Sequence, residues 1–164
     1  MASVELDLIE LLRVLYAHDC RFVVVGGVAA VLHGAPVQTF DLDIVYERTE
    51  QNIQRLLAAL EELEACYAGF EDRGLRPERK ALAGMGHHLL TTRAGRLDVL
   101  AFVADQQTFD QLAPASIEVE AEGIRFHIAD LETLVELKKH MGREKDLLTA
   151  AMLEALREET ARVS

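Results

Sequence analysis

Two aspartates stand one residue apart in a short stretch of alternating character. Asp41 and Asp43 belong to the segment Asp-Leu-Asp-Ile-Val-Tyr at 41–46. Side chains two apart on a β-strand point to the same face, so we expect both carboxylates on one side of this strand. Two such close negative charges repel each other unless a positive charge lies between them. Mg²⁺ would supply it through carboxylate oxygens; an exposed strand with polar outer positions is the alternative.

A third aspartate lies in a later apolar segment. Asp98 belongs to Arg-Leu-Asp-Val-Leu-Ala-Phe at 96–102. A charged side chain is rarely buried without a partner. The sequence therefore predicts either a metal ion that Asp98 shares with the first two aspartates, or a salt bridge to Arg96 or Arg93.

A glycine pair precedes these aspartates. Gly26 and Gly27 end the β-branched run Arg-Phe-Val-Val-Val at 21–25 and open a short helical segment. A backbone without side chains can approach a phosphate group closely, and a helix N-terminus offers free N–H groups. Thr39 adds a hydroxyl two residues before Asp41. We therefore predict a phosphate-binding backbone next to metal-binding carboxylates.

The remaining periodicity predicts an α/β (α+β) fold with a mixed β-sheet flanked by helices and a C-terminal helical pair. Ser3 is a candidate cap for the first helix. Residues 67–86 are rich in charge and glycine and have the weakest pattern. Helices are expected at about 6–18, 28–33, 49–65, 108–112, 130–140 and 144–159, and strands at 21–25, 41–46, 87–93, 96–103, 116–121 and 123–128.

Length and composition restrict the class of protein. The 164 residues, half of them hydrophobic, fit one domain covering 1–164. We expect a cytoplasmic protein that does not enter the membrane, because no secretory signal or long apolar run is visible. The net charge of −11 argues against an extended nucleic-acid-binding surface. Cys20 and Cys66 are expected to be ordinary thiols.

These motifs together resemble a known superfamily. The string Val-Val-Gly-Gly-Val-Ala-Ala-Val-Leu-His-Gly at 24–34, then Thr39 and the Asp41–Asp43 pair, then Asp98 on a later strand, is similar to nucleotidyltransferases of the DNA polymerase β type. Within that superfamily it resembles the minimal (MNT-type) bacterial nucleotidyltransferases and the AbiEii-type toxins. Two C-terminal strings, at 130–138 and 142–146, are also similar to theirs.

The resemblance implies a nucleotidyltransferase fold and a Mg²⁺-dependent transfer of a nucleoside monophosphate from an NTP, such as ATP, to an acceptor hydroxyl. It implies that Asp41, Asp43 and Asp98 are catalytic and hold two Mg²⁺ ions. Gly26, Gly27, Thr39 and Lys138 would bind the triphosphate. A toxin–antitoxin role with a HEPN-type or antitoxin partner follows by analogy. The acceptor itself (protein, tRNA or small molecule) is not specified.

Several alternatives stay open. Lys138 and Lys139 could form an ordinary solvated helix face, and Asp146 could be an ion-pair partner of Lys138 or Arg143 instead of a metal ligand. A non-catalytic NTP-binding or protein-interaction domain would keep the same fold. An ordinary strand around Asp41 would bind no metal at all.

Overall fold

One mixed β-sheet organises the protein. The computed structural model describes residues 4–104 and 106–163, and seven strands within them form the sheet in the order β3-β4-β5-β2-β1-β7-β6. The strands are β1 (Phe22–Val25), β2 (Asp41–Tyr46), β3 (Cys66–Tyr67), β4 (His87–Thr92), β5 (Gly95–Leu100), β6 (Ser116–Ala121) and β7 (Ile124–Ala129).

The strand directions bring three chain segments to one end of the sheet. β2 runs parallel to β5 and antiparallel to β1, while β1 runs parallel to β7. The other adjacent pairs are antiparallel hairpins or short ladders. The start of β2 therefore lies beside both the start of β5 and the end of β1, which is where the predicted chemistry is concentrated.

Seven α-helices are found among the described residues, and they confirm the predicted mixed α/β architecture with a C-terminal helical pair. They are α1 (Leu8–Ala17), α2 (Gly26–Leu32), α3 (Glu50–Glu62), α4 (Arg79–Ala83), α5 (Phe109–Leu112), α6 (Leu131–Met141) and α7 (Glu144–Val163). The side chains of Thr49 and Asp130 cap α3 and α6 by accepting hydrogen bonds from backbone N–H groups. Gly142, with φ of 70°, ends α6 in the left-handed conformation.

Two sequence-based expectations differ from the structure. The first helix begins after Asp7, whose carboxylate accepts a hydrogen bond from the Glu10 N–H, so the chain has a cap closer to the helix than Ser3, which lies outside the described residues. The segment 67–86, which showed the weakest pattern, contains part of β3, a 3₁₀ turn at Glu71–Arg73 and α4. Leu82, fully buried, anchors this segment, and its carbonyl accepts a hydrogen bond from the Tyr46 hydroxyl.

The core surrounds the central strands. All four residues of β1 are buried, and in β2 the residues Leu42 and Ile44 are fully buried, while Asp41 and Asp43, which alternate with them, are partly exposed. The alternation along β2 thus follows the predicted pattern. Cys20 and Cys66 are free thiols. No helix among residues 4–104 and 106–163 is long and apolar enough to cross a membrane.

Candidate metal centre

Three carboxylates meet where β2 and β5 lie side by side. Asp43 and Asp98 are direct partners in the parallel register, so their side chains project from the same face, and Asp41 lies two residues earlier on that face. One ligand oxygen from each of the three lies within 4.8 Å of the others. The backbone geometry thereby brings together the three aspartates that the sequence singled out, as a group with the chemistry of a divalent metal site.

Close packing of negative charge perturbs these carboxyl groups. Burial, followed by repulsion from Asp41 and Asp98, raises the pKa of Asp43 to about 8, and the positive charge of Lys138 acts in the opposite direction. Burial and the charge of Asp98 also raise the pKa of Asp41, against the opposing effect of Arg96. The ionised cluster is therefore costly, and a bound cation would relieve that cost.

The glycine pair lies against the site for a steric reason that the sequence did not reveal. Gly26 has φ of 70°, and a methyl group there would lie 2.2 Å from Oδ2 of Asp43. A methyl group on Gly27 would lie 2.9 Å from the Thr39 hydroxyl oxygen. These positions need glycine because the start of α2 passes directly over the side chains of β2 and the preceding loop.

Thr39 contributes to the local backbone as well as to the surface of the site. Its hydroxyl donates a hydrogen bond to the carbonyl oxygen of Asp41 at 3.0 Å. This bond fixes the turn that leads into β2. Phe40, between them, is 76% exposed, which leaves a large apolar ring at the entrance to β2.

Lys138 lies near the carboxylates but is paired elsewhere. Its ammonium group is 3.5 Å from Oδ1 of Asp146, and Arg143 Nε is 2.6 Å from Oδ2 of the same side chain. Burial opposes ionisation of Asp146, yet these two cations outweigh it and lower its pKa. The structure therefore favours the ion-pair alternative for Asp146, which joins α6 to α7, over metal binding.

Arg96 is the residue whose role the sequence left undecided. It was one of two candidate partners for Asp98, and its Nη2 lies 3.2 Å from Oδ1 of that aspartate. Arg93, the other candidate, pairs instead with Glu10 and Glu62. Metal binding and a salt bridge are thus compatible for Asp98, because each carboxylate has two oxygens.

Two solved structures resemble this one over most of their length. The crystal structure of TM1012 from Thermotoga maritima, a proposed nucleotidyltransferase, aligns with a TM-score of 0.55 and 16% sequence identity over 94% of this chain and 91% of its own. The solution structure of the antibiotic-resistance factor ANT(2'')-Ia aligns with a TM-score of 0.58 and 14% identity over 94% of this chain and 89% of its own. This chain has the nucleotidyltransferase fold.

The likeness is one of architecture, since the sequence identities are low. No protein-family model matches the chain, and no curated protein matches it in sequence. The predicted nucleotidyltransferase fold is confirmed, whereas the grouping with MNT-type proteins and AbiEii-type toxins stays a prediction. A fold by itself does not define an activity, so the function has to be argued from the site.

Proposed function

We propose that the protein is a Mg²⁺-dependent nucleotidyltransferase, a single domain over residues 1–164, that moves a nucleoside monophosphate from an NTP to an acceptor hydroxyl. The observation that carries this proposal is the convergence of Asp41, Asp43 and Asp98, with ligand oxygens within 4.8 Å of one another. The nucleotidyltransferase fold of the chain supports it.

The residues at the site fit Mg²⁺. Carboxylate oxygens are the protein ligands that this ion prefers, and Mg²⁺ usually completes its coordination with water and substrate phosphates. The absence of a side chain at Gly26 allows α2 to begin directly beside Oδ2 of Asp43. Burial and the charges of Asp41 and Asp98 raise the pKa of Asp43, so an added cation would stabilise its ionised form. These three features support a site for one or two divalent ions.

In the proposed reaction the aspartates have distinct tasks. Mg²⁺ bound there would neutralise the charge that develops on the entering and leaving oxygens at the α-phosphorus. Asp41 and Asp43 would orient the triphosphate side of the site. Asp98 would orient the acceptor hydroxyl and accept its proton while the acceptor oxygen bonds to the α-phosphorus. The bond to the β-phosphate oxygen breaks, and pyrophosphate leaves.

The phosphate groups would bind beside α2 and α6. Gly26 and Gly27 present backbone at the first turn of α2, where Val25 provides no side-chain cap for the N–H groups. Thr39 adds a hydroxyl next to Gly27. Lys138, whose charge already acts on Asp43, would move from Asp146 towards the leaving pyrophosphate.

The acceptor belongs to one of three classes: a protein hydroxyl, a tRNA end or a small molecule. The net charge of −11 disfavours a broad RNA footprint. The similar fold of ANT(2'')-Ia, an antibiotic-resistance factor, supports a search among small molecules. A partner protein of the antitoxin or HEPN type would fit a toxin–antitoxin role in the cytoplasm.

The first experiment measures nucleotide binding. Thermal unfolding is followed with a non-hydrolysable analogue of each NTP, with and without Mg²⁺, for wild type and for the Asp41→Asn/Asp43→Asn variant. A ligand at about 100 times its Kd stabilises the native state by about 2.7 kcal/mol. We expect a Mg²⁺-dependent rise in Tm for wild type that is absent in the variant.

The chain offers a matched control for this variant. Glu118 and Glu120 have the same spacing on β6 but are exposed at the edge of the sheet. The Glu118→Gln/Glu120→Gln variant changes the net charge by the same amount and should keep the full response to nucleotide. A response that persists in the aspartate variant would place nucleotide binding elsewhere and contradict the proposal.

Transfer is then tested with α-³²P-labelled NTPs and defined acceptors from the three classes. Labelling that requires Mg²⁺ and Asp43 would establish the activity and the acceptor class. Nucleotide binding without transfer to any of these acceptors would favour the non-catalytic NTP-binding domain.

A further inference from the structure

The guanidinium of Arg96 is held against the carboxylate cluster from two sides. Its Nη2 lies 3.2 Å from Oδ1 of Asp98, and its Nε donates a hydrogen bond to the carbonyl oxygen of Leu90 on β4 at 3.2 Å. Two anchors on different strands fix the position of the charged group. The cation is therefore a built-in part of the metal-free site.

Arg96 also acts on the neighbouring strand. It is the direct partner of Asp41 in the parallel register between β2 and β5, and its charge opposes the rise in the pKa of that carboxyl group that burial and Asp98 cause. Among the described residues, the ion pair between Arg96 and Asp98 is the one that involves a member of the cluster. Lys138, the other nearby cation, is paired with Asp146.

We propose that Arg96 is the resting counter-ion of the cluster: a positioning residue that holds Asp98 in the metal-free protein and weakens the binding of the first divalent cation. The inference rests on the proposed function only in that a divalent ion binds at the three aspartates. Arg96 engages Oδ1 of Asp98, and the carboxylate has a second oxygen, so a metal ion and the guanidinium could bind together with a mutual repulsion.

Loss of the Arg96 charge has opposite effects on the metal-free and the metal-bound protein. Without metal, removal of the arginine charge leaves the negative charge of the aspartate cluster less compensated, and the native state becomes less stable. With metal, removal of the same charge abolishes a repulsion between +1 and +2. At a separation of about 6 Å in a water-like dielectric, that repulsion corresponds to about a tenfold change in affinity. Looser orientation of Asp98 offsets part of this gain.

The test is a Mn²⁺ titration of the full chain, followed by the EPR signal of free Mn²⁺, combined with thermal unfolding in EDTA and in saturating Mn²⁺. For Arg96→Gln we expect Mn²⁺ binding about three- to tenfold tighter than in wild type. We also expect a lower Tm in EDTA that Mn²⁺ largely restores. Arg96→Lys keeps the positive charge and should keep the wild-type affinity.

Arg93→Gln is the control for a merely structural loss. Arg93 belongs to the same hairpin but pairs with Glu10 and Glu62, away from the cluster. Its removal should lower Tm equally with and without Mn²⁺ and leave the affinity unchanged.

Two results would overturn the counter-ion role: an Arg96→Gln variant with unchanged or weaker Mn²⁺ affinity, or an equal loss of Tm in both conditions. A different result would contradict the proposed function itself: wild type that binds no Mn²⁺, or binds it as tightly as the Asp43→Asn variant does.

Discussion

Gly26 lies so close to Asp43 that the two residues form one structural unit: a methyl group at position 26 would be 2.2 Å from Oδ2 of the aspartate. Gly26 has φ of 70°, a conformation that non-glycine residues adopt only at a cost. The glycine therefore serves both the turn into α2 and the access to a carboxylate oxygen.

We expect Gly26→Ala to lower the free energy of unfolding by more than the cost of the left-handed backbone alone, which is about 1–2 kcal/mol. The added methyl group must also displace the Asp43 side chain, so Mn²⁺ affinity should fall. Chemical denaturation and Mn²⁺ titration measure the two effects. Gly123→Ala is the control, because Gly123 has φ of 79° with no atom within 4 Å of a new methyl group. Equal effects of the two substitutions would argue against the contact.

Metal affinity should depend on pH through Asp43. Burial and neighbouring charges raise its folded-state pKa from 3.8 to about 8, so the metal-free folded protein binds an extra proton between these values. A cation must displace that proton, and Mn²⁺ affinity should therefore rise from about pH 6 to about pH 8 and then level off. Asp43→Asn should weaken binding and flatten this dependence. A wild-type affinity that is constant over the range would contradict the prediction.

The same shift predicts how the metal-free protein responds to pH. A carboxyl group with a raised pKa favours the folded state less as it ionises, so stability in EDTA should decline as pH increases from about 4 to about 8. Saturating Mg²⁺ should remove most of the decline. In Asp43→Asn the decline should be smaller, which denaturation at several pH values in EDTA would measure.

Asp146 should contribute to the attachment of α7. The side chain is 2% exposed, and its partners Arg143 and Lys138 leave both oxygens engaged. We expect Asp146→Asn to cost about 1–3 kcal/mol, less than a fully buried pair because the Arg143 side chain is 67% exposed. Urea denaturation measures this. Glu154→Gln, which breaks the more exposed pair with Lys139 between the same helices, should cost less.

The ion pairs of Glu10 with Arg13 and Arg93 should stabilise the folded protein most at pH values above about 4.5. Hydrogen bonds from Arg13, then Arg93, lower the pKa of Glu10 from 4.5 to about 2. A depressed pKa gives stability that is present above pH 4.5 and is lost as pH falls towards 2. Glu10→Gln should therefore lower Tm at neutral pH and converge with wild type at low pH. Glu50→Gln, at a more exposed pair, should change Tm less.

The sequence identified the three aspartates of the site, but it did not predict which residues contact them. The spacing of Asp41 and Asp43 is enough to place both on one face of a strand, because side-chain direction alternates strictly along β-structure. That Asp98 joins them depends on the register of β5 against β2, which no local pattern encodes. The steric need for Gly26 depends on a second pairing, that of β1 with β2. Arg96 lies two residues from Asp98 on β5, whereas Arg93 precedes that strand and pairs with Glu10 and Glu62.

The segment 67–86 shows a different limit. Its glycines and charged residues give no clear periodicity, although the segment forms short helices. The buried residues Leu82 and Tyr46, from distant parts of the chain, hold it in place through a hydrogen bond from the Tyr46 hydroxyl to the Leu82 carbonyl. Tertiary contacts of this kind override weak local preferences. The first helix was predicted well in extent, but its cap was misplaced because Ser3 and Asp7 are equally suitable residue types.

The order of the strands in the sheet determines when the site can first exist during synthesis. Asp41 and Asp43 leave the ribosome early, together with β1 and α2, but their parallel partner β5 follows only after β3, α4 and β4 have been made. A nascent chain that ends before β5 has two of the three carboxylates and no Arg96. Divalent ions should therefore assist the late steps of folding and leave the early ones unaffected.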